Sequence, residues 1–206
     1  MKILSKQKSN DPKQRNSYLI RLENDEEFVI SDEDYFSGLV YSLEEIDIAL
    51  IKNFADNLLF KKAKEYAVKF LAYRVRSSGE LRQKLAQQGF SEDIIEKAID
   101  YSKENGYMDD ERFAELYSNQ LANSKMYARK LIKYELRKKG VSDESIEAVF
   151  ENSTVTDEDV ARRIIDKKFK RIDMSDRKQM AKMQNFFMSK GFSYDIIANV
   201  LNDRDD

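Results

Sequence analysis

Residues Leu81–Ile99 read LRQKLAQQGFSEDIIEKAI, and two further stretches repeat the plan: IKYELRKKGVSDESIEAVF at 132–150 and MQNFFMSKGFSYDIIANVL at 183–201. Their glycines are evenly spaced, since 140 − 89 = 51 and 191 − 140 = 51. Large apolar residues lie four positions before each glycine (Leu85, Leu136, Phe187) and eight before it (Leu81, Ile132, Met183), which is one stripe of one helix. One position after it stands Phe90, Val141 or Phe192, and two after it Ser91, Ser142 or Ser193. The unit therefore reads as helix, glycine stop in the left-handed region, hydrophobic staple, serine N-cap, helix. A further helix also keeps register: Phe113 lies 27 residues before Gly140 and Ile164 lies 27 before Gly191.

Fifty-one residues hold three helices of about 12 residues with short loops. The expected fold is all-α in the main: tandem three-helix repeats in an elongated, curved array, with a small N-terminal β-hairpin. The hairpin is read from YLIRLENDEEFVIS (18–31), where Tyr18, Ile20 and Leu22 alternate, Asn24-Asp25 turns, and Phe28 and Ile30 follow. Residues 1–17, polar and holding Pro12, are expected to be flexible, and 18–55 to form the hairpin and a helical extension. Repeats are expected over 56–108, 109–156 and 157–206.

Local signals mark the helix starts. Ser42 with Glu45 and Ser77 with Glu80 have capping-box spacing, and Asp56 can cap a helix carrying Leu59, Ala63, Ala67, Phe70 and Leu71 on one stripe. Asp109 opens a helix with Phe113, Leu116, Tyr117, Gln120 and Leu121 inward. The acids Asp109, Asp110 and Glu111 point in different directions around a helix start, so they offset its dipole and do not hold a cation; TDEDV at 156–160 repeats them.

Composition excludes much chemistry. The 206 residues include no cysteine and no histidine, which removes disulfides, thiolate chemistry, the usual general base near neutral pH and the common zinc ligands. No phosphate-binding glycine loop is present, and no cofactor is expected. One proline and six glycines suit a helical chain. The 36 basic residues against 38 acidic ones give a net charge of -2, so affinity for nucleic acid must come from local patches. No signal peptide or apolar run of membrane-spanning length is visible, and a cytoplasmic location is expected.

The repeat residues are explained by capping and packing, so function is sought on outward charges. Basic residues cluster in each repeat, with Arg74 and Arg76 in the first, Arg129, Lys133, Arg137 and Lys138 in the second, and Arg162 and Arg163 in the third. Arg129, Lys133 and Arg137 step by four and share a helix face. Such a ladder is either a solvated face with acidic partners or a surface for phosphates or an acidic protein.

Four stretches, YRVRSSGELRQKLAQQGFS, ENGYMDDERFAELY, KLIKYELRKKGVS and FFMSKGFSYDII, resemble in order the motifs of the RecX regulatory proteins, over about 56–201. The N-terminal part resembles the extension of longer, Gram-positive-type members. The family pattern falls on Arg76, Ser77, Glu80, Leu81, Leu85, Gly89 and Phe90, on Asp109, Asp110, Phe113 and Ala114, and on Ile132, Glu135, Leu136, Lys139 and Gly140, with Gly191 in the third repeat. At KMYAR (125–129) relatives have a glycine-rich turn, whereas this chain can continue as helix.

The resemblance implies a non-enzymatic regulator that binds the RecA recombinase or its filament on single-stranded DNA and inhibits its ATPase, strand exchange and co-protease activity in recombination, repair and the SOS response. Arg74, Arg76, Arg129, Lys133, Arg137, Lys138, Arg162 and Arg163 are the expected contacts of a monomer with RecA side chains or with DNA phosphates. The alternatives are direct binding of single- or double-stranded DNA, or a helical adaptor for another protein.

Overall fold

The structure, a computed structural model, describes residues 1–173 and 175–202. It divides into two units, Met1–Tyr73 with Arg82–Tyr107, and Arg74–Leu81 with Met108–Asp206.

The first unit opens with three antiparallel strands, β1 (Ile3–Lys8), β2 (Ser17–Leu22) and β3 (Glu27–Ser31), in the order β1-β2-β3. The expected hairpin is β2–β3, with Ile20 opposite Phe28 and Tyr18 opposite Ile30. Residues 3–8, expected to be flexible, instead add a third strand, with Lys6 opposite Ile20 and Lys8 opposite Tyr18. Backbone pairing holds it where side chains give little signal: Ile3 N–H donates to Glu44 O (2.8 Å) and Ile46 N–H to Met1 O (2.8 Å). The Lys6 ammonium donates to the carbonyls of Tyr41 and Leu43. Helix α1 (Asp32–Ser37) follows, capped by Ser31. Ile20, Leu22, Ile30, Tyr35, Val40, Ile46 and Ile51 form the core beneath the sheet.

Two expected helices, one from Ser42 and one from Asp56, are a single helix, α2 (Ile48–Leu71). Its cap is Asp47, whose side chain accepts from Ala49 N–H (2.7 Å), while Ser42 ends a short 3-10 turn. Nothing between Phe54 and Asp56 breaks a helix, so the chain runs through. Ala63 and Ala67 are buried as expected, but Leu58 is the inward leucine and Leu59 is exposed. Helix α3 (Ser78–Ala86) gives its first turn to the second unit and the rest to the first, and α4 (Glu92–Glu104) buries Ile94, Ile95, Ala98 and Ile99. Tyr66 of α2 meets the Phe90 ring edge to face. Gly89 has the expected positive φ of 83° and Leu81 and Leu85 are fully buried.

The second unit contains α5 (Asp110–Gln120), α6 (Arg129–Lys138), α7 (Asp143–Glu151), α8 (Asp157–Lys168), α9 (Arg177–Ser189) and α10 (Tyr194–Asn202). One core joins Phe113, Ala114 and Leu121 of the α5 region to Ile132, Leu136, Val141 and Ile146. A second joins Ala128 and α8 to Met183, Phe187, Phe192, Ile197, Val200 and Leu201. Leu116, expected inward, is exposed, because Phe113, Ala114 and Ser118 carry the buried face of α5.

The helix expected to continue through KMYAR does not. After a π-turn over Leu121–Lys125, Met126 adopts φ 57° and ψ 43°, and α6 begins only at Arg129. The turn is made here by a methionine in the left-handed region, at a local cost of about 1–2 kcal/mol. Its packing against the second core offsets that cost.

Candidate functional site

The repeat residues build a joint that occurs twice in the second unit, 51 residues apart. In the first, the Ser78 N–H, at the start of α3, donates to Asp110 Oδ1 (2.7 Å). In the second, the Arg129 N–H, at the start of α6, donates to Asp157 Oδ1 (2.8 Å). Each aspartate thus caps a helix other than its own. The preceding residue, Asp109 or Thr156, caps α5 or α8 locally. The expected dipole role of the acidic trio therefore holds for Asp109, while Asp110 reaches across to α3. Three groups that could ligate a metal do not converge here or elsewhere among the described residues.

Each joint also fixes the turn that follows a repeat glycine. Ser77 Oγ donates to the Lys139 carbonyl (2.5 Å), and its counterpart Ala128 donates its own N–H to the Lys190 carbonyl (2.9 Å). Gly140 (φ 72°) sits so close to Gly79 that a Cβ on it would lie 2.6 Å from the Gly79 Cα. Gly191 sits against Leu131, where a Cβ would lie 2.9 Å from the Leu131 Cβ. These glycines serve both the turn and the close approach of two helices.

Only half of the Ser77–Glu80 capping box forms. Glu80 N–H donates to Ser77 Oγ (3.2 Å), but the Glu80 carboxylate turns to Lys139 Nζ (2.9 Å) and Arg74 (3.0 Å). Burial raises the Glu80 pKa, and the hydrogen bonds and charges of Lys139 and Arg74 override it, leaving the carboxyl below its ordinary value. At the second joint burial wins: it pushes Asp157 above the usual carboxylate range despite the bond from Arg129.

The eight cations expected to meet a partner are divided by this architecture. Arg74 belongs to the Glu80 cluster and Arg76 is half-buried beside it in sequence. Arg129 is a clamp: its guanidinium donates to the carbonyls of Ser153 (3.3 Å) and Val155 (2.6 Å) and lies 5.6 Å from the centre of the Phe150 ring. Lys133 pairs with Glu147 and Arg137 with Asp143 (2.7 Å). Two residues of the α6 ladder, Lys133 and Arg137, are thus met by carboxylates of α7. Lys138 stands 4.0 Å from Glu135, Arg162 stands 3.9 Å from Asp159, and Arg163 donates to Asn123 Oδ1 (2.8 Å). Lys138 and Arg162 keep more than half of their side-chain surface exposed.

Gly79 and the α7 acids Asp143 and Glu147 were not singled out by the sequence pattern. Asp157 lies in the TDEDV stretch read as the repeat of the Asp109–Glu111 acids, but its distance to Gly191 is 34 residues where Asp110 precedes Gly140 by 30, four residues off the glycine register. For the α7 acids no signal exists without the packing of α6 on α7.

Among the described residues no helix is long and apolar enough to cross a membrane. Family profiles match three successive segments: the RecX first three-helix domain at 63–101, the second at 109–149 and the third at 156–201. A regulatory protein RecX of Clostridium perfringens is 38% identical over 94 residues, 46% of this chain and 43% of that protein. One of Caldanaerobacter subterraneus subsp. tengcongensis is 28% identical over 138 residues, 67% of this chain and 66% of that protein. Both alignments span under two thirds of the relative's length, whereas that with Finegoldia magna, at 25% identity, covers 96% of this chain and 98% of the relative. Among solved structures, a crystal structure of regulatory protein RecX superimposes with a TM-score of 0.65 at 20% identity, covering 98% of both chains. That of RecX from Lactobacillus salivarius gives 0.61 at 25% identity, covering 71% of this chain and 97% of the other. With three domains matched in order, each containing one of the evenly spaced glycine turns, the chain belongs to the RecX family of regulatory proteins.

Proposed function

We propose that this chain modulates the RecA recombinase by binding RecA or its filament on single-stranded DNA, and that it lowers ATPase, strand-exchange and co-protease activity. The observation that supports the reading most is the ordered series of three RecX domains over 63–201. The physical argument is multivalency: domains repeated every 51 residues offer several modest contacts to a partner that is itself a repeating polymer. It acts as a soluble, cytoplasmic monomer and not as an enzyme, a reading supported by a sequence without histidine or cysteine.

Its charged contacts come from exposed cations, Lys138, Arg137 and Arg162, with Arg74, Arg76, Lys133 and Arg163 at the margins. Arg129 is reserved for the fold by its two carbonyls. Binding to RecA–DNA filaments and to naked single-stranded DNA, each measured from 50 to 300 mM salt, tests the reading. Retention on filaments that outlasts retention on naked DNA is expected. Equal binding to both, lost together as salt rises, would instead indicate a direct DNA binder.

A further inference from the structure

A groove of about 680 Å³ lies in the second unit between the outer face of α5 and the α7–α8 connection. One wall carries Glu111 and Glu115, one helical turn apart and both exposed. Unlike the α6 ladder, neither has an ion-pair partner among the described residues. The opposite wall is mixed, with Val149, Phe150 and the exposed Val155 beside Asn152, Ser153 and Thr154. It is also rigidly placed, because Arg129 grips the carbonyls of Ser153 and Val155 from behind.

We infer that this groove docks an extended peptide segment of a partner protein, with a basic side chain between Glu111 and Glu115 and an aliphatic one on Val149, Phe150 and Val155. In an extended peptide, residues two apart face the same way about 6.5–7 Å from each other, so the pattern basic, any, aliphatic presents both side chains to the groove. The lining sets three carboxylates, Asp109, Glu111 and Glu115, against the single cation Arg112, a net negative charge that repels the phosphates of nucleic acid and makes a peptide the fitting occupant. The site is separate from the exposed cations on which the proposed filament binding rests.

The full chain, labelled with ¹⁵N, is titrated with acetyl-Ala-Arg-Ala-Val-Ala-amide and with its counterpart carrying Glu for Arg. The arginine peptide is expected to shift the amides of α5 and of Ser153–Val155, and the glutamate peptide to leave them in place. The double variant Glu111→Gln, Glu115→Gln, whose unperturbed spectrum elsewhere verifies the fold, is expected to weaken binding at least ten-fold. No shift at these amides, equal shifts from both peptides, shifts on another face, or undiminished affinity in the variant would each overturn the assignment.

Discussion

Gly79 and Gly140 meet backbone to backbone, and a Cβ on either would lie 2.6 Å from the Cα of the other. Gly79 lies in the first turn of α3, where alanine would ordinarily stabilise a helix by about 1 kcal/mol. Here the added methyl must push two backbones apart. Gly79→Ala is therefore expected to destabilise the chain by about 1–3 kcal/mol, an overpacking cost. Gly89→Ala, with nothing within 4 Å of the new Cβ, should lose only the left-handed backbone cost of about 1–2 kcal/mol. Urea unfolding of both variants checks this, and a stabilised Gly79→Ala would show that the two helices do not approach as described.

The Glu80 cluster predicts an acid-sensitive joint. A carboxyl whose folded pKa is lowered contributes stability above its unfolded value, near 4.5, and that stability is lost as pH falls through the folded value. Glu80→Gln should cost about 1–3 kcal/mol at pH 7, the range for a hydrogen bond to a charged group. The difference from the wild type should shrink as pH falls below the unfolded value and vanish once pH has passed the lowered folded value. A difference that stays constant from pH 7 to pH 3.5 would contradict the cluster's role.

Asp157 has the opposite sign. Its folded pKa is raised, so the stability contributed by its protonated form is fully present below the unfolded value near 3.8 and is lost as pH rises through the folded value. Asp157→Asn keeps an acceptor for the Arg129 N–H and removes a charge that burial penalises, so at pH 7 it should lie within about 0.5 kcal/mol of the wild type. Asp157→Ala should lose about 1 kcal/mol, the value of a helix cap. Thermal unfolding of the pair at pH 7 separates the two.

The cations divide into a structural clamp and removable charges. Arg129→Ala should cost about 2 kcal/mol or more, since it leaves the Ser153 and Val155 carbonyls without their donor. Arg137→Ala, which breaks an exposed pair with Asp143, should change stability by under about 0.5 kcal/mol. Equal effects on chemical denaturation would remove the distinction. Charge reversal at Lys138 and Arg162 should leave stability nearly unchanged while weakening retention on RecA filaments.

The fold was legible where the signal is local. A glycine after a four-residue apolar stripe, then a staple and a serine, specifies a helix–turn–helix by capping, and its 51-residue period announces the repeat. Strand β1 was not legible, because ILSKQK has only two apolar residues and is held by main-chain bonds to 44–46 and to β2. Nor was the extent of α2, since capping residues occur inside helices as well as at their ends. The basic faces could be read from spacing, but not their occupancy, because Glu147 and Asp143 reach Lys133 and Arg137 only once α7 packs on α6. Asp110 likewise looks like an ordinary first-turn acid until α3 is placed beside it.

The central claim is that the repeat array acts on RecA, and the direct measurement is RecA ATPase on single-stranded DNA with this chain added from several-fold below stoichiometry upward. A dose-dependent fall that begins below one chain per RecA, and that is diminished by reversing Lys138 and Arg162 to glutamate, is the predicted result. Unchanged hydrolysis at every ratio, with the chain folded and RecA bound to DNA, would contradict the account.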